Sequence, residues 1–235
     1  MGEGVTIRWG IIGCGDVCEV KSGPAFYKVP GSALSVVMRR NGGLAADFAK
    51  RHGVPRSTTN AEELIFDKDV DAVYIATPPG THLSYALQVA SAGKPCYVEK
   101  PMARSAAECR VMLDAFERAK QPLFVAYYRR ALPRFLKVRE ILRSGALGNV
   151  LSVSHVYQGR ADPERGKPGW PEKSGWREDV PESGGGLFLD LGSHVIDLLD
   201  FLLGPLAGVA GHASRRAAPD PGASSRAANT RTEGT

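Results

Sequence analysis

The sequence predicts an α/β protein whose N-terminal part is a doubly wound parallel sheet. Over the first 127 residues, short apolar runs alternate with helix-like segments, which is the pattern of repeated strand–helix units. The first apolar run, residues 7–12, leads into Gly13-Cys14-Gly15, a glycine-rich turn of the kind that joins a buried strand to a helix. A second, smaller α/β region follows.

Short, mainly apolar runs predict the buried strands, at residues 7–12, 34–38, 72–76, 96–98 and 123–126. Helices are predicted from about residue 16, over residues 44–52 and over residues 83–92, the last two ended by glycine. Asn60 and Ser105 each precede a glutamate by three residues, which is typical of a helix start. Strands and helices therefore alternate as a parallel sheet requires.

The second region is less regular. Residues 133–144 are predicted to be helical, and residues 150–158 to form a strand. Residues 159–186 are rich in Gly, Pro and charge, which predicts a long loop, and loops of that length are uncommon unless they have a role such as covering a site. Residues 187–203 then form a strongly apolar helix.

The chain divides into three parts: residues 1–127 form the first domain, 128–214 a partial second domain and 215–235 a tail. After Val209 there is no further Val, Ile, Leu, Met, Phe, Trp or Tyr. Such a segment cannot bury enough apolar surface to offset the entropy of ordering it, so we expect residues 215–235 to be disordered.

Charge and cysteine content argue against several classes of protein. The net charge is only +5 over 235 residues, and the basic residues are scattered rather than gathered into a stripe, which disfavours nucleic-acid binding. No apolar run approaches the roughly 20 residues of a membrane span, and we find no signal peptide. The four cysteines show no metal-binding pattern, so we expect reduced thiols, no metal and a cytoplasmic location.

The glycine-rich turn indicates a phosphate site. The first glycine permits a tight turn, and the second lets the backbone approach a pyrophosphate at the start of a helix. The predicted contacts are Gly13, Cys14, Gly15, Asp16 and Val17. An ordinary strand–helix turn is the alternative, and Cys18 stands where the dinucleotide pattern has Gly or Ala.

Two arginines follow the second strand. An NAD site usually has an acidic residue here to bind the ribose 2′-hydroxyl, whereas Arg39 and Arg40 suit a 2′-phosphate. The sequence therefore favours NADP over NAD, with a solvated basic turn as the alternative.

Polar residues also follow the next two strands, where ligands bind in open α/β sheets. The predicted cofactor contacts there are Thr77, Pro78, Pro79, His82, Glu99 and Lys100. Lys100 is in addition a candidate proton donor or acceptor, because desolvation and a bound cofactor can shift a lysine pKa. A turn and a surface lysine are the simpler interpretations.

Asp190 and His194 lie four residues apart on the apolar helix, which places a carboxylate and an imidazole on one helical face. Histidine can move a proton near neutral pH. A core histidine is one alternative. A metal pair is another, although it would need His155 or His212 as a further ligand.

Together these segments resemble the glucose–fructose oxidoreductase/inositol dehydrogenase/MocA family. The resemblance rests on IIGCGDV, ATPPGTH, VEKPMA and WRED…SGGGLFLDLGSHVIDLL in this order, from Ile7 to Leu203. It implies a Rossmann domain followed by a domain with an open antiparallel sheet, and an NAD(P)-dependent enzyme that acts on sugars, cyclitols and related polyols.

The resemblance also implies roles for single residues. Either Lys100 or His194 relays the hydroxyl proton, Asp190 lies beside them, and the bond before Pro101 can be cis. The residues predicted on the substrate side are Tyr128, Arg129, Trp176 and Arg177.

The chain departs from the family pattern after Val209, where the family continues through further strands and this sequence becomes polar. We therefore expect an incomplete second sheet, which puts a homo-oligomer built on that sheet in doubt. A truncated product or a shifted reading frame near residues 215–219 would explain the change. The alternative functions are a nucleotide-binding protein that is catalytically impaired or regulatory, and an enzyme that hydrolyses or eliminates through transient oxidation.

Overall fold

A computed structural model describes residues 5–158, 175–186 and 188–212. Its centre is a parallel sheet of six strands: β1 (Ile7–Ile12), β2 (Ser32–Met38), β3 (Arg56–Thr58), β4 (Ala72–Ile75), β5 (Cys96–Val98) and β6 (Leu123–Val125). They lie in the order β3-β2-β1-β4-β5-β6, and each neighbouring pair is parallel. The predicted doubly wound parallel sheet is therefore confirmed, with a short polar strand, β3, that the sequence analysis missed.

Six helices connect the strands: α1 (Asp16–Val20), α2 (Gly23–Lys28), α3 (Gly42–His52), α4 (Ala61–Ile65), α5 (His82–Ser91) and α6 (Ala106–Ala119). The predicted caps are present, since the side chains of Asn60 and Ser105 accept hydrogen bonds from backbone N–H groups at the starts of α4 and α6. Gly53 ends α3 in a left-handed conformation. The helix expected from residue 16 is divided into α1 and α2.

The core lies on both faces of the sheet, because successive strand residues point to opposite sides. Ile11 belongs to a cluster with Phe26 and Phe48, from α2 and α3. Ile12 belongs to a second cluster with Val89 and Met112, from α5 and α6. All of these side chains are buried. Burial on both faces explains why most residues of the central strands are apolar.

The later elements are helical. After β6 they are a short 3-10 helix at Tyr128–Ala131, α7 (Pro133–Arg143), α8 (Gly175–Glu178), α9 (Val180–Ser183), a π-helical turn at Phe188–Gly192 and α10 (Ser193–Leu203). Another 3-10 helix, Pro79–Thr81, lies earlier in the chain, between β4 and α5. Contacts group the chain as far as Gly204 into one compact unit and place Pro205 onward in another. Of the second unit, residues 205–212 are described and have no regular secondary structure.

Two expectations for the second region are wrong. Residues 150–158 do not form a strand: side chains such as Leu151 and Val156 are exposed, and within the described residues no strand follows β6 to pair with them. The predicted loop also contains α8 and α9, while its first part, residues 159–174, lies outside the described residues. So does the predicted tail, residues 215–235, and the domain boundaries stay predictions.

No helix in the described part of the chain has the length and apolarity that a membrane span requires.

Candidate active site

The turn after β1 has the geometry that its glycines predict. Gly13 has a φ of +89°, and a Cβ added there would lie 2.8 Å from Thr77 Cγ2. Gly15 precedes α1, and a Cβ added to it would meet nothing closer than Gly13 O at 3.9 Å. The space above the second glycine is therefore open to a ligand. Cys18 is completely buried, with its thiol 3.8 Å from Gly13 O.

A cleft of about 740 Å³ opens at the carboxyl ends of the strands, on the side where ligands bind in folds of this class. The predicted cofactor residues that line it are Gly13, Gly15, Asp16, Val17, Arg39, Arg40, Thr77, Pro78, Pro79, Glu99 and Lys100. The structure thus brings four separate strand ends together at one surface.

Cys14 and His82, also predicted as cofactor contacts, do not line the cleft. The Cys14 side chain is completely buried, and burial raises the pKa of its thiol to about 11. His82 is completely buried, with Nε2 2.8 Å from Thr77 O and Nδ1 3.1 Å from Pro101 O. Burial lowers the pKa of His82. It therefore joins two cleft segments from beneath rather than facing a ligand.

The end of β2 presents two cationic side chains to the cleft. Arg39 is partly buried, with Nη1 3.5 Å from Cys14 O, and Arg40 is exposed. Asn41 follows, and its side chain accepts a hydrogen bond from Leu44 N at the start of α3. This arrangement offers fixed positive charge beside the glycine-rich turn.

Lys100 and Asp190 form an ion pair inside the cleft. Lys100 Nζ lies 2.5 Å from Asp190 Oδ1 and 2.8 Å from Asp190 O. The other carboxylate oxygen accepts a hydrogen bond from Arg177 Nε at 2.9 Å. Burial disfavours the charged carboxylate, but the two cations outweigh it and hold the pKa of Asp190 below its ordinary value. The bond between Lys100 and Pro101 is cis.

His194 lies at the start of α10 and is 4% exposed. Its ring meets those of Tyr127 and Tyr128 edge-on, with centroids 6.1 and 5.5 Å apart, and its Nδ1 has no hydrogen-bond partner among the described residues. Burial and the charges of Lys100 and Arg129 lower the pKa of His194 to about 4. The imidazole is therefore neutral at pH 7, and it does not line the cleft.

The residues predicted on the substrate side are divided. Trp176 and Arg177 line the cleft, with the guanidinium carbon of Arg177 4.4 Å from the centroid of the Trp176 ring. Tyr128 is 46% exposed and Arg129 is partly buried, but neither lines the cleft. The alternative of a metal pair gains no support, because the described residues contain no group of three or more possible ligands.

Several lining residues were missed by sequence reasoning: Met38, Asn41, Leu44, Ala76, Thr81, Tyr85 and Glu182. Asn41 could have been found, since it follows Arg40 and precedes a helix. Glu182 could not, because α9 is distant in sequence from the strand ends. In the fold it packs directly against Gly80, where an added Cβ would clash with the Glu182 carboxylate.

Comparison with known families gives two matches. A model described as "Oxidoreductase family, NAD-binding Rossmann fold" matches residues 7–127. A model described as "GFO/IDH/MocA C-terminal domain" matches residues 135–233. The second match includes most of residues 215–235, the tail that differs in composition from the rest of the chain.

Individual relatives are oxidoreductases. The chain is 47% identical over 205 residues to Oxidoreductase P35 of Formosa agariphila, covering 86% of this chain and 62% of the relative. It is 32% identical to levoglucosan dehydrogenase of Pseudarthrobacter phenanthrenivorans, covering 78% and 46%. A solved levoglucosan dehydrogenase, in complex with NADH and levoglucosan, superimposes with a TM-score of 0.70 at 31% identity, covering 85% of this chain and 54% of that one. The chain thus spans between 46% and 62% of the length of these relatives.

Proposed function

Because the chain belongs to the Gfo/Idh/MocA family of oxidoreductases, we propose that it transfers a hydride between a nicotinamide dinucleotide and a secondary alcohol of a sugar, cyclitol or related polyol. The observation that carries this proposal is the Lys100–Asp190 ion pair, which lies in the same cleft as the glycine-rich turn. A proton-transfer group and a phosphate site thereby share one surface.

The residues of the cleft fit a dinucleotide. Space is open above Gly15, so the backbone of the turn can bind a pyrophosphate. Arg39 and Arg40 supply the charge for a 2′-phosphate, and we therefore propose NADP as the preferred cofactor. Glu99 and Lys100, after β5, lie at the end proposed for the nicotinamide. The cofactor supplies the hydride acceptor or donor.

The protein's part in the reaction is to orient the alcohol and move its proton. In the direction of reduction, the Lys100 ammonium donates a proton to the oxygen that receives negative charge. In the direction of oxidation, the Lys100 amine accepts the hydroxyl proton, and the Asp190 carboxylate stabilises the ammonium that forms. We assign the immediate transfer to Lys100 because it lines the cleft, whereas the neutral His194 does not.

The levoglucosan dehydrogenase relative supports a carbohydrate substrate by its name, as does inositol 2-dehydrogenase 2 of Saccharopolyspora erythraea, at 30% identity. On the substrate side we propose Trp176 and Arg177, which line the cleft, and Tyr128 and Arg129 beside His194. The cytoplasmic location and the oligomeric state stay predictions.

Titration of the nicotinamide fluorescence with NADPH and NADH, followed by a panel that includes levoglucosan and myo-inositol, tests the proposal. We expect NADPH to bind more tightly than NADH and at least one polyol to be oxidised. Binding without oxidation of any polyol would favour the catalytically impaired or regulatory alternative. Products at the oxidation level of the substrate would favour elimination or hydrolysis.

The cofactor preference has its own test. We expect the double change Arg39→Ala and Arg40→Ala to weaken NADPH binding by roughly 10- to 100-fold, because charge-assisted hydrogen bonds to the 2′-phosphate are lost. NADH binding should change little. Arg118→Ala is the control, since Arg118 is exposed on α6 and does not line the cleft. Equal weakening of both cofactors would contradict the assignment.

A further inference from the structure

A chain of hydrogen bonds runs beneath the cleft from the turn between α1 and α2 to Lys100. The Tyr74 hydroxyl lies 2.8 Å from Ser22 Oγ and donates to Glu99 Oε1 at 2.6 Å. The second carboxylate oxygen, Glu99 Oε2, accepts a hydrogen bond from the backbone N–H of Lys100 at 3.1 Å. Both oxygens of one carboxylate are therefore held, one from the sheet and one from the lysine's own backbone.

Packing does not require the Tyr74 hydroxyl. The ring is completely buried, stacked on Tyr97 with centroids 5.2 Å apart and in contact with Phe26 at 5.0 Å. A phenylalanine would fill the same space. Burying a hydroxyl is unfavourable unless it is hydrogen-bonded, so what the hydroxyl contributes is its hydrogen bonding, to Glu99 on one side and Ser22 on the other.

We propose that Tyr74 is a positioning residue for Lys100, because its hydroxyl fixes the Glu99 carboxylate that in turn holds the backbone of Lys100. The proposal deepens the proposed function and rests on it for the role of Lys100. Nothing else in the chemistry assigned to the cleft uses Tyr74 or Ser22.

Ser22 is the other end of this series of hydrogen bonds. Ser22 lies between α1, which follows the glycine-rich turn, and α2. This connection is tight, since a Cβ on Gly23 would clash with the carbonyl oxygen of Cys18. Tyr74 therefore links the element that follows the phosphate site to the segment that carries the proton-transfer group.

The surroundings of Glu99 keep the Tyr74 hydroxyl protonated, so that it is the donor in the hydrogen bond to the Glu99 carboxylate. Burial raises the pKa of Tyr74, so the hydroxyl retains its proton. Burial also raises the pKa of Glu99, while the hydrogen bonds from Tyr74 and from the Lys100 backbone oppose that rise. The titratable side chains that act on or are acted on by Glu99 are Tyr74, Tyr97, Cys18, Lys21 and Lys100.

The variant that tests the proposal is Tyr74→Phe, with Tyr97→Phe as the matched control. Tyr97 stacks on Tyr74, but its hydroxyl makes no hydrogen bond to any residue that the structure describes. Amide hydrogen exchange at Lys100 is the first readout and does not depend on activity. We expect exchange at Lys100 to become roughly tenfold faster in Tyr74→Phe and to stay unchanged in Tyr97→Phe.

The amide of Glu99 is an internal reference, because it donates to Ile75 O across the sheet at 2.9 Å. Faster exchange at both Glu99 and Lys100 would indicate general loosening of β5 and would overturn the proposal, as would unchanged exchange at Lys100.

The second readout is steady-state kinetics with NADPH or NADP and the panel substrate on which the unmodified protein is active. We expect Tyr74→Phe to lower kcat by roughly 10- to 100-fold through misplacement of Lys100, with little change in the KM for the cofactor. An unchanged kcat would overturn the positioning role even if exchange is faster. An unmodified protein that is inactive on the whole panel would contradict the proposed function, and the exchange measurement would still decide the link from Tyr74 to Lys100.

Discussion

Lys100 is the residue on which the proposed chemistry depends most directly. Its ammonium nitrogen contacts two oxygens of Asp190, and its backbone is held by Glu99. The side chain is 15% exposed, so it is shielded from most solvent and yet faces the cleft. A group that moves protons in a defined direction needs both properties.

We expect Lys100→Ala to lower kcat by roughly 100-fold or more, because proton transfer is lost. The dissociation constant for NADPH should stay within roughly threefold. Lys68→Ala is the control, since Lys68 is exposed and does not line the cleft. Full turnover by Lys100→Ala, measured on a folded protein, would remove Lys100 from the mechanism.

His194 is the basis of a different prediction, on how the free energy of unfolding depends on pH. The pKa of His194 is lowered to about 4 in the folded protein, compared with about 6.5 in an unfolded chain. Between these values the unfolded state binds more protons, so stability is lost as pH falls from about 6.5 to about 4. The expected loss from this residue is roughly 3 kcal/mol.

Urea unfolding between pH 7 and pH 4.5 checks this prediction. His194→Asn should lose less stability over the range than the unmodified protein, and His155→Asn, in which an exposed histidine is changed, should not differ. Parallel pH profiles for all three proteins would show that His194 is not held neutral.

Most of the residues that the sequence analysis predicted as cofactor contacts line the cleft, but the sequence did not predict where individual side chains point. Lys100 and Asp190 were both predicted, but their ion pair joins residues 90 apart, and no local pattern encodes such a contact. Cys14 and His82 were placed in the cleft because their neighbours are there. Both side chains instead enter the core, Cys14 from the turn after β1 and His82 from the first position of α5.

At the scale of elements, the helix α9 depends on one close contact. Gly184, which ends α9, has a φ of +78°, and a Cβ added there would lie 2.6 Å from the carbonyl oxygen of Arg104. The guanidinium of Arg104 also donates to Pro181 O at 2.9 Å. Glu182, on the same helix, forms part of the cleft wall.

We expect Gly184→Ala to reduce stability by about 1–3 kcal/mol beyond the backbone strain alone, because the backbone of Arg104 has to move. Gly53→Ala is the matched control: it has a φ of +65° but no atom within 4 Å of the added Cβ, so strain of about 1 kcal/mol is all that it should show. Thermal unfolding and NADPH titration measure the two variants. If Gly184→Ala and Gly53→Ala have the same stability and the same affinity for NADPH, α9 does not pack on Arg104.

Strands were predictable where the sheet is buried on both faces. The runs at β4 and β5 are apolar throughout and that at β1 is apolar apart from Arg8, and their bounds agree closely with the prediction. β3 is an edge strand of three polar residues, Arg56–Thr58, and so carries no such signal. Residues 150–158 have the composition of a strand, but composition does not show whether a neighbouring strand is available to pair with them. The predicted first helix is interrupted before Gly23-Pro24, and hydrophobic periodicity alone does not predict such an interruption.

At the scale of the whole molecule, the cleft is lined by residues 13–100 and again by residues 176–190, all within one compact unit. We therefore expect NADPH to stabilise that unit as a whole. At 100 times its dissociation constant, NADPH should add about 2.7 kcal/mol, which raises the melting temperature by roughly 5–10 °C.

Differential scanning calorimetry with and without NADPH checks this, with the Arg39→Ala and Arg40→Ala double variant as control. That variant should show a smaller shift at the same concentration of NADPH. No shift for the unmodified protein at saturating NADPH would contradict a dinucleotide site in the cleft.

The Lys100–Asp190 pair also restricts how such proteins can be recombined. Its cation lies within the first family match and its carboxylate within the second. A chimera with a crossover between residues 127 and 135 would inherit one half of the pair from each parent. A library of such chimeras should therefore retain function only when both parents keep the complementary charge, and a cofactor domain of this kind is not a freely exchangeable module.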